Sequence, residues 1–212
     1  MNHTKRYRAV LALAVLLVAI GVWQVGEAGY LHAKALLAQH LLVTSWAETV
    51  ATGKPVKPWP WADTWPVARL TFESSRPLIV LAGGSGRTMA FAPGHVDGTP
   101  LPGRPGLSLI GGHRDTHFRA LEDLEVGAAI SAQDATGTIH RYRVTDTRIV
   151  DSRTVRIAPH GTRSALALVT CWPFDSVVPG GPMRYVVVAE SEEIASSPTP
   201  RSSTMLPSGS SM

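Results

Sequence analysis

LALVTCWPF, residues 166–174, is an apolar run that ends on Thr170 and Cys171 and then meets Trp-Pro. A short apolar segment cut off by proline reads as a buried inner strand with Cys171 at its end, the position from which side chains reach a cleft. Cys171 is the only cysteine in 212 residues. It therefore has no internal disulfide partner, and its role is reactivity, packing or an intermolecular bond. Packing is the ordinary use of a free cysteine. Reactivity is favoured by its place at the strand end and by the oxidation risk that an unused exported thiol carries.

A thiol attacks as the thiolate and needs a histidine or cation beside it. Of the eight histidines, His3 precedes the apolar N-terminal run, and His32 and His40 lie on the helix that follows it. His113 comes after the inner strand GLSLI and a Gly-Gly pair that lets the backbone come close, so it is the candidate base. The other reading is a solvated histidine. Arg184 opens the strand MRYVVV. If that strand pairs beside the cysteine strand, its fixed guanidinium can hold an oxyanion; otherwise it is a surface arginine.

Other motifs carry less. AGGSGRT (82–88) lacks the lysine of a phosphate loop and reads as a hairpin turn. Arg141 and Arg143 alternate with Tyr142 and Val144, which predicts one solvated sheet face. His95, His113 and His117 have no metal-ligand spacing, so neither a metal nor another cofactor is expected.

The rest of the chain locates this chemistry. Ala9–Val25 is apolar but for Gln24 and follows HTKRYR, which predicts a single membrane span with the basic N-terminus in the cytoplasm and the remainder outside. A cleaved signal peptide, with Ala33 and Ala35 near the cut, is the other reading. The net charge of +4 owes much to Lys5, Arg6 and Arg8, so nucleic acid is not an expected partner.

From Gly29 to Thr52, Leu31, Ala35, Leu36, Ala38, Leu42, Val43 and Trp46 fall at helical spacing. Gly53 and the prolines of GKPVKPWPWADTWP then stop the helix. Trp59, Trp61 and Trp65 in that linker are expected to pack on the domain surface. Beyond Pro66, PVARLTFE, PLIVLAGG, TMAFAPG, GLSLIGG, AAISAQDA, IHRYRVTDTRIVD, TVRIA, SALALVTC and MRYVVVAE predict an antiparallel barrel or sandwich. HFRALEDLEVG (117–127) is the one helical patch among them. The Ser- and Pro-rich end after Glu193 is expected to be disordered.

GGHRDTHFRAL, ALVTC and MRYVV, in that order, resemble the motifs of the sortases, membrane-anchored cysteine transpeptidases. The stretch FAPGHVDGTPLPGRPGLSLIGGHRDTHF and the Trp/Pro linker look like their Gram-negative (GN-type) branch. One departure is Ala167, where the family's cysteine motif begins with threonine.

The resemblance implies a mainly β fold: a closed eight-stranded β-barrel with short helices, preceded by a transmembrane helix and a stalk helix. The expected divisions are a basic flank and anchor over 1–28, stalk and linker over 29–65, catalytic barrel over 66–190 and tail over 191–212. It also implies His113, Cys171 and Arg184 as the catalytic set, with Thr170 in support. The substrate would be an exported protein with a C-terminal LPXTG-type sorting signal, and the acceptor an amine. Asp115 stands near enough in sequence to orient His113, but the family pattern does not require it. Two other readings are an exported cysteine transpeptidase of the L,D-transpeptidase kind and a non-enzymatic anchored β-barrel adaptor.

Overall fold

Most segments after Pro66 are short and rich in β-branched residues, and they pair edge to edge until the sheet meets itself. The structure, a computed structural model, describes residues 3–73, 75–155, 162–176 and 180–192. Its strands are β1 (Pro66–Phe72), β2 (Leu78–Ala82), β3 (Gly94–His95), β4 (Gly106–Gly111), β5 (Ala129–Asp134), β6 (Ile139–Asp151), β7 (Ser164–Cys171) and β8 (Met183–Ser191). They form a closed barrel in the order β1-β2-β3-β4-β7-β8-β6-β5. Closure removes the unpaired edges that an open sheet of this length would offer to other chains.

The expectation of an antiparallel sheet is corrected: β2 with β3 and β4 with β7 are parallel pairs. Parallel neighbours need a crossover, which explains a second correction. The glycine-rich AGGSGRT is no hairpin turn but part of the β2–β3 crossover. It includes a four-residue helix, α2 (Gly86–Met89), capped by the Ser85 side chain accepting from the Thr88 N–H. Most of TMAFAPG belongs to this crossover, so only its Gly94 enters a strand. The helical patch at 117–127 is reduced to one 3₁₀ turn, Arg119–Leu121. Phe118 and Leu121 are fully buried, so the apolar spacing there records two anchors of a loop. The strand read in TVRIA falls partly outside the described residues, and the Ser/Pro-rich tail from Glu193 falls wholly outside them.

Side-chain alternation sets what each face does. In β7, Leu166 and Leu168 point into the barrel with Val187 and Ala189 of β8. Ala165, Ala167 and Val169 point outward and pack with Leu107, Val186 and Val188. A strand covered on both faces has no polar alternation, which is why SALALVT reads as a continuous apolar run. Ala167, the departure from the family motif, sits in this outer apolar layer, where a threonine hydroxyl would need a partner. By contrast, β6 exposes Arg141 and Arg143 while Tyr142 and Val144 are buried, as its alternation predicts.

The N-terminal run and the following helical pattern are one helix, α1 (His3–Thr52). Its most apolar 18-residue window has a mean hydropathy of 2.4, and none of it is buried against the protein, so α1 is long and apolar enough to cross a membrane. Only its C-terminal end docks on the barrel. Leu42 and Trp46, one turn apart, bury against Ile79, Leu81 and Ala92, and the Trp46 indole N–H donates to Gln133. Leu31, Leu36 and Val43, which share the helical pattern, stay exposed. Of the linker tryptophans, Trp59 packs edge-on against Phe91 at 5.1 Å between centroids. Trp61 is not packed on the domain and remains 82% exposed.

Candidate active site at the end of β7

The antiparallel pairing of β7 and β8 sets Cys171 directly opposite Arg184. Directly opposed residues share a sheet face. Cys171 and Arg184 therefore extend the outward-facing series that runs through Val169 and Val186. The thiol is half-buried and free. On the other flank of β7, the parallel ladder with β4 ends at Gly111 opposite Val169. The Gly112 N–H then donates to the Val169 carbonyl, and His113 follows. Three segments far apart in sequence thus bring His113, Cys171 and Arg184 to one end of the barrel. Among the described residues none of the three is hydrogen-bonded to another. Such contacts are commonly loose without substrate and tighten when it binds.

Thr170 is fully covered, and its hydroxyl donates to the Gly112 carbonyl at 2.8 Å. It thereby ties the strand carrying the cysteine to the residue before His113. Gly112 suits this crossing because a Cβ there would lie 2.8 Å from the Phe118 ring. Phe118 has no room to retreat, so a larger residue would push the His113 loop off β7.

The Nη1 of Arg184 donates to the carbonyls of Gly181 (2.7 Å) and Met183 (2.9 Å). Its Nε and Nη2 have no hydrogen-bond partner among the described residues. The nearby carboxylate of Asp151 is engaged elsewhere. Hydrogen bonds from the Arg153 side chain, first, and its backbone hold Asp151 down to about 2, with Arg184 the smallest contributor.

Asp115 does not orient His113. It accepts from Arg114 Nε at 2.9 Å instead. The ring beside His113 is that of His117, 6.4 Å away between centroids. Burial, then the charge of His113, lowers the pKa of His117, so a second cation there is disfavoured. His95, on β3, is buried and bonded to the Pro100 carbonyl and the Thr99 hydroxyl, away from this cluster in the hydrogen-bond network.

Sequence reasoning passed over Arg114. It is only 4% exposed and bonds the Pro173 carbonyl through Nη1 and the Ser176 carbonyl through Nη2. Both acceptors lie in the turn after Cys171, which begins with the cis Trp172–Pro173 bond. Trp172, Phe174 and Tyr185 pack ring on ring beside it. Arg114 therefore clamps the His113 loop to the Cys171 turn. A loop arginine ordinarily reads as solvated, and only its position directly after His113 hinted otherwise.

Arg114→Met keeps length and apolar stem but strands both carbonyls. Charge-assisted bonds of this kind contribute about 1.5–3 kcal/mol each, and a chain of this size loses roughly 2–4 °C in Tm per kcal/mol. The expected result is a lower Tm with faster amide exchange confined to the segments around His113 and Trp172. An unchanged melt with unchanged exchange would show that the clamp bears no load.

Comparison with known proteins identifies the family and the fold that carry these residues. The family model described as the sortase domain matches residues 73–192, more than half of the chain. Sortase D of Bacillus subtilis (strain 168) is 35% identical over 95 residues, covering 44% of this chain and 47% of that protein. The chain thus spans about half the length of the curated relative it matches. Among solved structures, sortase C-1 from Actinomyces oris superposes with a TM-score of 0.52 at 28% identity, over 60% of this chain and 74% of that one. A sortase D5 transpeptidase from Clostridium perfringens superposes with a TM-score of 0.59 at 19% identity, over 74% and 98%. At that identity the last likeness is one of fold.

Proposed function

Because this chain belongs to the sortase family, we propose that it is a membrane-anchored cysteine transpeptidase acting on a C-terminal sorting signal of the LPXTG type. The observation that carries the reading is the cross-strand pair of Cys171 and Arg184, with β4 delivering His113 to the same end of the barrel.

In the proposed reaction the Cys171 thiolate attacks a backbone carbonyl of the signal. The carbonyl electrons move to oxygen, and the Nε and Nη2 of Arg184, which have no hydrogen-bond partner among the described residues, stabilise that oxyanion together with backbone N–H groups. His113 protonates the amine as the C–N bond breaks, leaving an acyl thioester on Cys171. An incoming amine then attacks the thioester, His113 takes its proton, and the thiolate leaves. The apolar layer next to Cys171, with Val169 and Leu109 half-buried at its margin, suits the Leu-Pro part of the signal. A buried Leu side chain contributes about 1.5–3 kcal/mol.

The anchor reading rests on α1. The basic residues Arg6 and Arg8 before its apolar run favour a cytoplasmic N-terminus, with the barrel outside the cytoplasmic membrane. The Trp/Pro linker supports the Gram-negative branch. The partners are an exported protein bearing the signal and an amine acceptor.

The test uses the full chain in detergent with an LPXTG-containing peptide and hydroxylamine or diglycine as the amine. Mass spectrometry is expected to show peptide cut at the signal, amine-ligated product and an acyl adduct on Cys171. No adduct and no cleavage across varied signal peptides would overturn the proposal. An adduct formed only with peptidoglycan stem peptides would replace it with the L,D-transpeptidase reading.

A further inference from the structure

In the reaction proposed above, His113 carries a proton before the C–N bond breaks and again once the incoming amine has given one up. An imidazolium has two N–H donors. One serves the substrate amine, and the other calls for an acceptor that fixes the ring, the part a carboxylate plays in a catalytic triad. Asp115 is not available for it, because Arg114 Nε holds that carboxylate at 2.9 Å. Water can reach His113, which is exposed, but water does not hold a ring in one orientation.

The loop after His113 supplies another acceptor. The Phe118 N–H donates to the His113 carbonyl at 3.0 Å, and the buried Phe118 ring anchors the loop. The closed loop sets the His117 ring beside that of His113, 6.4 Å away between centroids and 32° between planes. Two imidazoles joined directly by N–H···N have centroids about 5 Å apart, and joined through one water about 7 Å. The observed separation lies between these. His117 Nδ1 is buried and has no hydrogen-bond partner among the described residues. The Phe91 carbonyl favours a proton on the same ring, and Gln39 of α1 fixes that carbonyl by donating to it at 2.8 Å. With the proton on Nε2, the unpaired Nδ1 is an acceptor. A closed-off acceptor is costly to leave without a donor. The two arginines of the loop are engaged elsewhere: Arg114 with Asp115, Pro173 and Ser176, and Arg119 with Phe174 and Glu122. Burial, then the charge of His113, lowers the pKa of His117 despite the Phe91 carbonyl, so a neutral ring faces the charged base.

We propose that His117 is the positioning residue of the base: its Nδ1 accepts the second N–H of the His113 imidazolium, directly or through one water, and so holds that ring in register with Cys171 and the substrate amine. The inference rests on the transpeptidase reading given above.

The test uses the full chain in detergent with the LPXTG-containing peptide and diglycine. His117→Phe keeps a ring and removes the acceptor, whereas His117→Gln gives up the ring and returns an acceptor oxygen. A well-placed acid–base group contributes about 10²–10⁴-fold. Loss of its orientation in His117→Phe is therefore expected to lower kcat by about tenfold or more with KM within about threefold, and His117→Gln to recover most of the loss. A packing role reverses that order, because phenylalanine fills the space better than glutamine. In protein labelled with ¹⁵N-histidine, an exchange-protected side-chain N–H resonance is expected at acid pH in the parent and in His117→Gln. It should be absent from His117→Phe and from His113→Ala, the second of which assigns it to His113. Parental kcat in His117→Phe, a higher kcat for His117→Phe than for His117→Gln, or a parent without the resonance would each overturn the positioning role. A parent that shows the resonance but turns over no sorting peptide would overturn the transpeptidase reading and uphold the bond between the two histidines.

Discussion

Cys171→Ala is expected to eliminate both the acyl adduct and product formation. Losing a nucleophile that works with a base and an oxyanion site costs on the order of 10⁶-fold in turnover, because the remaining groups then have nothing to assist. The fold should survive. Cys171 is half-buried at the end of β7, and the ladder that holds β7 between β4 and β8 is made of backbone bonds. Removing Sγ opens little space there, so the melt should shift by about 1 kcal/mol or less. The measurement is peptide turnover beside a thermal melt of the same preparation. Turnover within tenfold of the parent at an unchanged Tm would dismiss the cysteine as nucleophile and restore packing as its role.

Much of this site is readable from residues alone, for a physical reason. β7 and β8 are covered on both faces, so they appear as unbroken apolar runs, and the residues that end them are conspicuous: Cys171 after SALALVT, Arg184 before YVVVA. Gly111 and Gly112 mark a close approach that the structure accounts for, since the Thr170 hydroxyl binds the Gly112 carbonyl and Phe118 fills the space where a side chain would go. α1 is equally plain, because seventeen residues with a single polar interruption admit few alternatives.

What could not be read depends on partners distant in sequence. Whether β4 runs parallel to β7 is decided by how the chain crosses the barrel, and no local pattern records that. The four residues of α2 are too few to show a helical period. Phe118 and Leu121 imitate that period although each is held by the core. Arg114 looks like any loop cation until the Pro173 and Ser176 carbonyls, some sixty positions on, are seen to receive it. Asp115 shows the opposite limit: closeness in sequence to His113 left an orienting carboxylate open, and the neighbouring arginine takes it instead.

Arg184→Lys tests whether that residue supplies shape or only charge. In the structure Nη1 is already bound to the Gly181 and Met183 carbonyls, and Arg184 lies directly across the ladder from Cys171. A lysine has one nitrogen for both tasks. If it satisfies the carbonyls it faces away from the oxyanion; if it turns to the oxyanion it leaves them unpaired and is held by a flexible stem. Removing one well-placed oxyanion donor costs about 10²–10³-fold in kcat, roughly 2.7–4 kcal/mol. Because the charge persists, attraction of a peptide to the site should change little. The expected signature is therefore a kcat lowered by that factor with KM within about threefold, since an interaction made only in the transition state appears in kcat. Near-parental kcat for the lysine variant together with a collapsed kcat for Arg184→Met would assign Arg184 a purely electrostatic part and leave the oxyanion to backbone N–H groups.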